Sequence, residues 1–213
     1  MAEAKADFEQ KTHSPAALKK RKKILSTALK LFAKEGFHNA DVQIIADLAG
    51  VGKGTIYRHF GNKHELFLAA ARACVEWQAE YIRKSVENAR GIAELLRRVA
   101  VACAEFYAEH PEAVEIMIQE RAEFRESVFP TTLMFRSNTS GGLEAEVREA
   151  IRIGHIRPVD PKIAVDAFLD LLYGCALCGT LGGNRRHLVA RFEHEVDLLL
   201  DGLLLSEPKK RSE

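Results

Sequence analysis

A chain of 213 residues with 47% hydrophobic and 29% charged residues has the size and mixture of one or two folded domains, which excludes a stapled miniprotein, a fibrous repeat and a chain disordered throughout. The net charge of +1 conceals an asymmetry: residues 1–63 hold 12 Lys and Arg against 6 Asp and Glu, and the remaining 150 hold 19 against 24. A basic first third joined to a mildly acidic remainder points to one end that meets a polyanion and another with a separate task.

Helical periodicity runs through the sequence and no window of strict alternation is long enough for a strand, so the expected class is all-α with about nine helices. After an N-terminal arm, residues 1–13, Ser14 and Pro15 place a capping hydroxyl before a proline at the first helical position. Leu25, Ala28, Leu29 and Phe32 then repeat at helical spacing, predicting a helix over 15–35 that stops at Gly36. Asp41 caps a short helix carrying Ile44, Ile45 and Leu48, ended by Gly50, and a third short helix is predicted over 53–59. Asn62 and Glu65 stand in capping-box relation at the start of a long helix with the stripe Leu66, Ala70, Cys74, Trp77 and Tyr81, predicted to run to 89 before Gly91.

Helices over 92–109 and 111–127 are separated by His110-Pro111, because proline disfavours helix in the residue before it. Residues 137–142 read as a polar loop; Asn138-Thr139-Ser140 matches a glycosylation sequon, which has no substrate without secretion. Helix resumes over 143–153, Asp160-Pro161 repeats the cap-then-proline start for 161–181, and Gly182-Gly183-Asn184 breaks the chain before a last helix over 186–205. A charged tail, residues 207–213, closes the sequence.

The uncharged run 171–183 is shorter than the roughly 18 to 20 residues that cross a bilayer, and Glu3, Asp7 and Glu9 occupy an N-terminus without an apolar leader segment. The expectation is a cytoplasmic protein with no membrane partner. Cys74, Cys103, Cys175 and Cys178 all sit in apolar helical stretches and read as reduced thiols; the C-x-x-C of the last two lacks a second ligand pair, so no metal or cofactor is expected. No nucleophile-base pair, phosphate-cradling loop or metal spacing is present, which argues against an enzyme.

Two short helices joined by a tight turn, directly after a longer amphipathic helix, have the layout of a helix-turn-helix. Ala46 is small where the two helices must approach, Gly50 follows four positions later at the turn, and Ile56 returns to the shared core six further on. An ordinary helical hairpin satisfies the same pattern. The longer segment 23–67, and above all GVGKGTIYRHFGNK, closely resembles the DNA-binding domain of the TetR family of one-component transcriptional regulators. The rest of the chain matches that family only in its helical layout. The resemblance implies a helix-turn-helix DNA-binding domain over 14–61 and a helical ligand-binding and dimerisation domain over 62–206. It also implies a homodimer, usually a repressor, that binds operator DNA and is released by a small-molecule effector, here unidentified. It displaces a nuclear-localisation reading of Lys19-Lys20-Arg21-Lys22-Lys23, of which only part can face DNA from one helix.

The chemistry of the motif assigns roles residue by residue. Gly52 and Gly54 leave room for backbone to approach the groove at a positive helix N-terminus. Lys53 and Arg58 can donate to guanine O6 and N7, and Thr55 can meet a base edge or a thymine methyl. Tyr57, His59 and Lys63 carry donors for phosphate oxygens. Family members commonly carry Ser or Thr where Asp41 stands; a carboxylate caps equally well but repels phosphate, so that contact is left to the Gln43 amide.

In the remainder, Glu120, Glu123 and Glu126 align on one side of a predicted helix, with Arg121 and Arg125 nearly opposite, so each stripe wants partners from elsewhere. Salt bridges to other helices, plain solvation and ligand recognition all remain open. In the last case Arg121 or Arg125 would suit an anionic ligand, with Phe106, Met117, Phe124, Trp77 and Tyr81 as apolar lining. The last two helices are apolar on more than one face. Gly174, Cys175, Ala176 and Gly179, with Leu188, Phe192, Val196, Leu199 and Leu203, fit either packing within one chain or a four-helix bundle between two copies; the resemblance favours the dimer. A partner-binding or architectural DNA-binding protein without a small-molecule ligand is the alternative.

Overall fold

The computed structural model describes residues 14–124, 131–181 and 187–204; the arm, the tail, Gly182-Gly183-Asn184, Arg125 and Glu126 lie outside them. Among the described residues there are nine α-helices and no strand, only an isolated bridge between Ile156 and Leu204. The all-α expectation holds.

The expected division at residues 61 and 62 follows chain order. The contacts gather the chain differently, into one unit of residues 1–74 with 115–128 and another of residues 75–114 with 129–213.

The first unit begins with α1 (Pro15–Asn39), where Ser14 Oγ accepts from Ala17 N–H at 3.2 Å and the proline stands at the first helical position. Its buried stripe is Ile24, Leu25, Ala28, Leu29 and Phe32, and Gly36, at φ 79° and ψ 158°, breaks the helical path where the sequence placed the stop. In α2 (Val42–Ala49), Asp41 Oδ1 accepts from Gln43 N–H at 2.8 Å, and Gly50 closes the helix in the left-handed region at φ 72°. The third helix, α3 (Lys53–Phe60), buries Ile56 and Phe60. α2 packs against α1 on one side and against α3 on the other.

Phe32, Phe37, Phe67 and Phe124 form an aromatic cluster with centroid separations of 5.0 to 6.0 Å. Such ring contacts, three of them edge-on, add to the burial of the rings. Two helices belong to both units. Asn62 Oδ1 accepts from Glu65 N–H at 2.9 Å at the start of α4 (Lys63–Ser85), whose residues 63–74 fall in the first unit; α6 (Glu112–Glu123) contributes residues 115–123 to it.

The second unit is built from α5 (Gly91–Glu109), α7 (Thr131–Arg152), α8 (Pro161–Leu181) and α9 (Leu188–Leu203). α9 packs on α5 and α8, and α7 packs on α8 and α5. Leu96, Val99, Cys103 and Phe106 meet in a core with Phe168, Leu172, Phe192, Val196 and Leu200, all buried.

Several expectations need correction. Residues 137–142 are not a loop but part of α7, which runs unbroken through Gly141 and Gly142. Packing overrides their poor helix propensity: Arg136 bonds the carboxylates of Asp166 and Asp170 on α8, and Leu143, Val147 and Ala150 are buried. The long helix expected to reach residue 89 ends at Ser85, followed by a turn in which Asn88 takes φ 63°. Over Pro161–Thr180, α8 is long and apolar enough to cross a membrane by length and composition, with mean hydropathy 1.5, a property the uncharged-run argument missed. Its Asp166 is paired with Arg136 and Lys162, and it packs on three other helices, as a core helix does.

All four cysteines are free; Cys178 is exposed and the others buried. Burial pushes the Cys103 thiol up to about 12. The Cys175 thiol, also raised to about 12 by burial, donates to Glu195 Oε2 at 2.8 Å.

Candidate nucleic-acid interface

Ala46 and Ile56 are fully buried and Gly50 is left-handed, so the Ala, Gly, Ile spacing seats α3 on α2. Since α3 spends only Ile56 and Phe60 on that seat, Tyr57, Arg58 and His59 are exposed, and Lys53 and Thr55 half-buried. No side chain caps the N-terminus of α3, which leaves donors there for an outside acceptor. A Cβ built on Gly54 would meet nothing within 4 Å, and one on Gly52 only Thr55 Oγ1 at 4.0 Å. Neither glycine is required by packing within the chain.

Three of the expected DNA donors already have acceptors inside the protein. Lys53 Nζ lies 3.5 Å from Asp41 Oδ1, and Gln43 Nε2 donates to Asp47 Oδ1 at 2.8 Å. Lys63 Nζ donates to the His38 carbonyl at 2.8 Å and sits 5.3 Å from the centroid of the Phe37 ring. Partial burial holds the Lys63 ammonium below its ordinary value, opposed by the charge of Asp41. The Gln43 N–H bond, chiefly, holds the Asp41 carboxyl below the usual carboxylate range.

The basic run on α1 was resolved only in part by the sequence. The Arg21 guanidinium lies 5.0 Å from the Phe60 ring centroid, and Lys23 Nζ lies 3.7 Å from where a Cβ on Gly50 would stand. His59 is pushed below its ordinary value by burial first and then by Arg58, Arg21 and Lys20. Lys20 and Arg21 therefore belong with the end of α3, a grouping invisible in sequence because some forty positions separate them.

The residues expected around a ligand fall in different units. Trp77 and Tyr81, half-buried, and Phe106, buried, lie in the second, where Tyr81 Oη donates to Glu105 Oε2 at 3.1 Å. Met117, Arg121 and Phe124 belong to the first. There Phe124 packs in the aromatic cluster and stacks on His64 at 4.4 Å. Arg125 lies outside the described residues. Glu123 pairs with His38 Nε2 at 2.6 Å, Glu120 is buried, and Gln119 Nε2 donates to the Phe32 carbonyl at 2.9 Å, tying the end of α6 to α1.

Of the positions expected between two copies, Cys175, Ala176, Gly179, Leu188, Phe192, Val196 and Leu203 are buried within one chain, and Gly174 and Leu199 are half-buried. A Cβ on Gly179 would collide with Leu188, so this glycine serves close approach of α8 to α9 in the same molecule. Among the described residues, the large apolar side chains that these helices expose are Ile163, Tyr173 and Leu198, at 68%, 45% and 73%.

Known proteins share both motif and fold. Residues 24–70 match the family model described as bacterial regulatory proteins, tetR family. YhgD of Bacillus subtilis strain 168, an uncharacterised HTH-type transcriptional regulator, is 30% identical over 157 residues, which cover 73% of this chain and 81% of that protein. The fatty acid degradation regulator FadR of Bacillus halodurans superposes with a TM-score of 0.73 at 21% identity, covering 85% of this chain and 94% of that one. FadR of Bacillus subtilis in complex with stearoyl-CoA gives 0.71 at 22% identity, covering 84% and 97%. Residues 24–70 thus carry the family's DNA-binding motif on an outward-facing helix, and a transcriptional regulator 30% identical spans most of the chain: the protein belongs to the tetR family of bacterial regulatory proteins, DNA-binding regulators of transcription.

Proposed function

We propose that the protein is a cytoplasmic repressor that binds a palindromic operator as a homodimer and is released by a small molecule held in its second unit. The outward presentation of α3, anchored by Ile56 and Phe60 alone, carries the DNA-binding part of this reading. Arg58 and Lys53 would read guanine edges and Thr55 a base edge or methyl. Tyr57, His59, Gln43, Lys63 and the N-terminus of α3 would grip phosphates, with Gly52 and Gly54 admitting the backbone. Ile163, Tyr173 and Leu198, exposed on α8 and α9, would form the apolar centre of the dimer face.

Selection of bound fragments from a random duplex pool tests the first half. The expected product is a two-fold symmetric sequence with half-sites about 34 Å or a multiple apart; no enrichment at low ionic strength would refute it. For the effector, the FadR complex motivates long-chain acyl-CoA thioesters as the first compounds in a thermal-shift panel, since a ligand bound only by the native form raises Tm. A panel compound that raises Tm and releases the selected duplex supports the repressor reading. A protein that binds its duplex regardless of every panel compound fits the architectural alternative.

A further inference from the structure

Two aspartates stand among the DNA-facing donors of a surface otherwise rich in positive charge. Asp41 and Asp47 are exposed. Oδ1 of Asp41 serves both Gln43 N–H, at 2.8 Å, and Lys53 Nζ, at 3.5 Å, while Oδ1 of Asp47 takes Gln43 Nε2 at 2.8 Å. Either carboxylate would repel a phosphate within the screening distance of roughly 8 to 10 Å, so neither raises affinity for a polyanion. The helix cap at Asp41 does not demand the charge, since asparagine caps equally well.

Resting on the DNA-binding reading above, we propose that Asp41 is a specificity-determining residue: it holds Lys53 off phosphates in general, so that this lysine contributes only where a duplex offers a base edge in its direction. Non-specific binding counts phosphate contacts and is insensitive to sequence. A lysine paired with a carboxylate must give up that partner to reach a phosphate, so it adds less to that count than a free one. On the operator, Lys53 exchanges Asp41 for guanine O6 and N7, acceptors that a random duplex presents only by chance. Asp47 restrains the Gln43 amide in the same way, with a smaller effect because an amide carries no charge.

The test uses the full chain, a duplex selected from a random pool by the native protein, and a scrambled duplex of the same composition. Asp41→Asn keeps the cap and removes the charge. It is expected to bind the scrambled duplex several-fold tighter, with a salt slope steeper by about one unit, and the selected duplex less than two-fold tighter, at unchanged Tm. Lys53→Ala in the Asp41→Asn background is expected to abolish the gain on the scrambled duplex. Equal gains on both duplexes, no gain on the scrambled one, or a gain that survives Lys53→Ala would overturn the proposal while leaving DNA binding intact. Failure of the native protein to enrich any duplex would remove both readings.

Discussion

Nζ of Lys53 and Oδ1 of Asp41, 3.5 Å apart, join the N-terminal ends of α2 and α3. Both side chains are substantially exposed, so the pair is screened and contributes little to folding. Lys53→Ala is therefore expected to leave thermal unfolding unchanged and to weaken binding to the selected operator. Arg58, exposed on α3, separates reading from gripping more cleanly. Arg58→Ala should relax preference at one or two base positions, at a cost of about 1 to 3 kcal/mol for a bidentate contact. Binding to single-base variants of the operator measures it, and uniform weakening across all variants would contradict the assignment.

Lys63 has an internal task as well as the proposed external one. Lys63→Ala removes its bond to the His38 carbonyl and its contact with Phe37, so urea unfolding should show a loss of about 1 kcal/mol. It should also weaken binding to every duplex and flatten the salt dependence by roughly one unit of slope. A stability loss with an unaltered slope would place this lysine in the fold alone.

His59 gives a pH dependence whose sign differs for folding and for binding. The folded protein holds this imidazole below its ordinary value of 6.5, so its contribution to stability is full above that value and is lost as pH falls through the lower folded value. Phosphates favour the imidazolium, so DNA binding takes up a proton and affinity should rise over the same fall in pH. Binding isotherms at constant ionic strength, repeated with His59→Gln, check this: the variant should show a flatter profile, and an identical one would exclude His59.

Gly50→Ala probes the turn itself. The added Cβ would stand 3.7 Å from Lys23 Nζ, an ordinary contact, but the backbone at φ +72° is one that a side chain rarely adopts. The expected cost is about 1 to 2 kcal/mol in denaturant unfolding, and a neutral result would mean that the turn relaxes.

Leu198, 73% exposed, is the side chain to alter for the dimer. Leu198→Glu should give a monomer by sedimentation, with helical circular dichroism retained and operator affinity sharply reduced. A dimer that persists would move the interface elsewhere.

What the sequence revealed divides by range along the chain. The caps at Ser14, Asp41, Asn62 and Asp160 were legible because each is a contact of two or three positions. So was the helix-turn-helix, whose Ala46, Gly50 and Ile56 act within eleven residues. Residues 137–142 misled because their polar and glycine content favours a turn locally, while the bonds from Arg136 to Asp166 and Asp170 hold α7 to α8 from some thirty positions away. The stripes of α8 and α9 were correctly apolar, yet periodicity cannot say which chain covers them; the burial of Phe192 and Val196 in one chain does. Gln43 and Asp47, four apart on one helix, were a readable pair, whereas Lys53 had only the acidic residue at position 41 as a signal and the His38 carbonyl that holds Lys63 had none.

With only Ile56 and Phe60 of α3 fully committed to the interior, its exposed letters, Gly54, Tyr57, Arg58 and His59, carry little of the fold. Exchanging one of them disturbs no buried side chain beneath. A new target sequence is thus reachable through single substitutions in a scaffold that stays folded at every step.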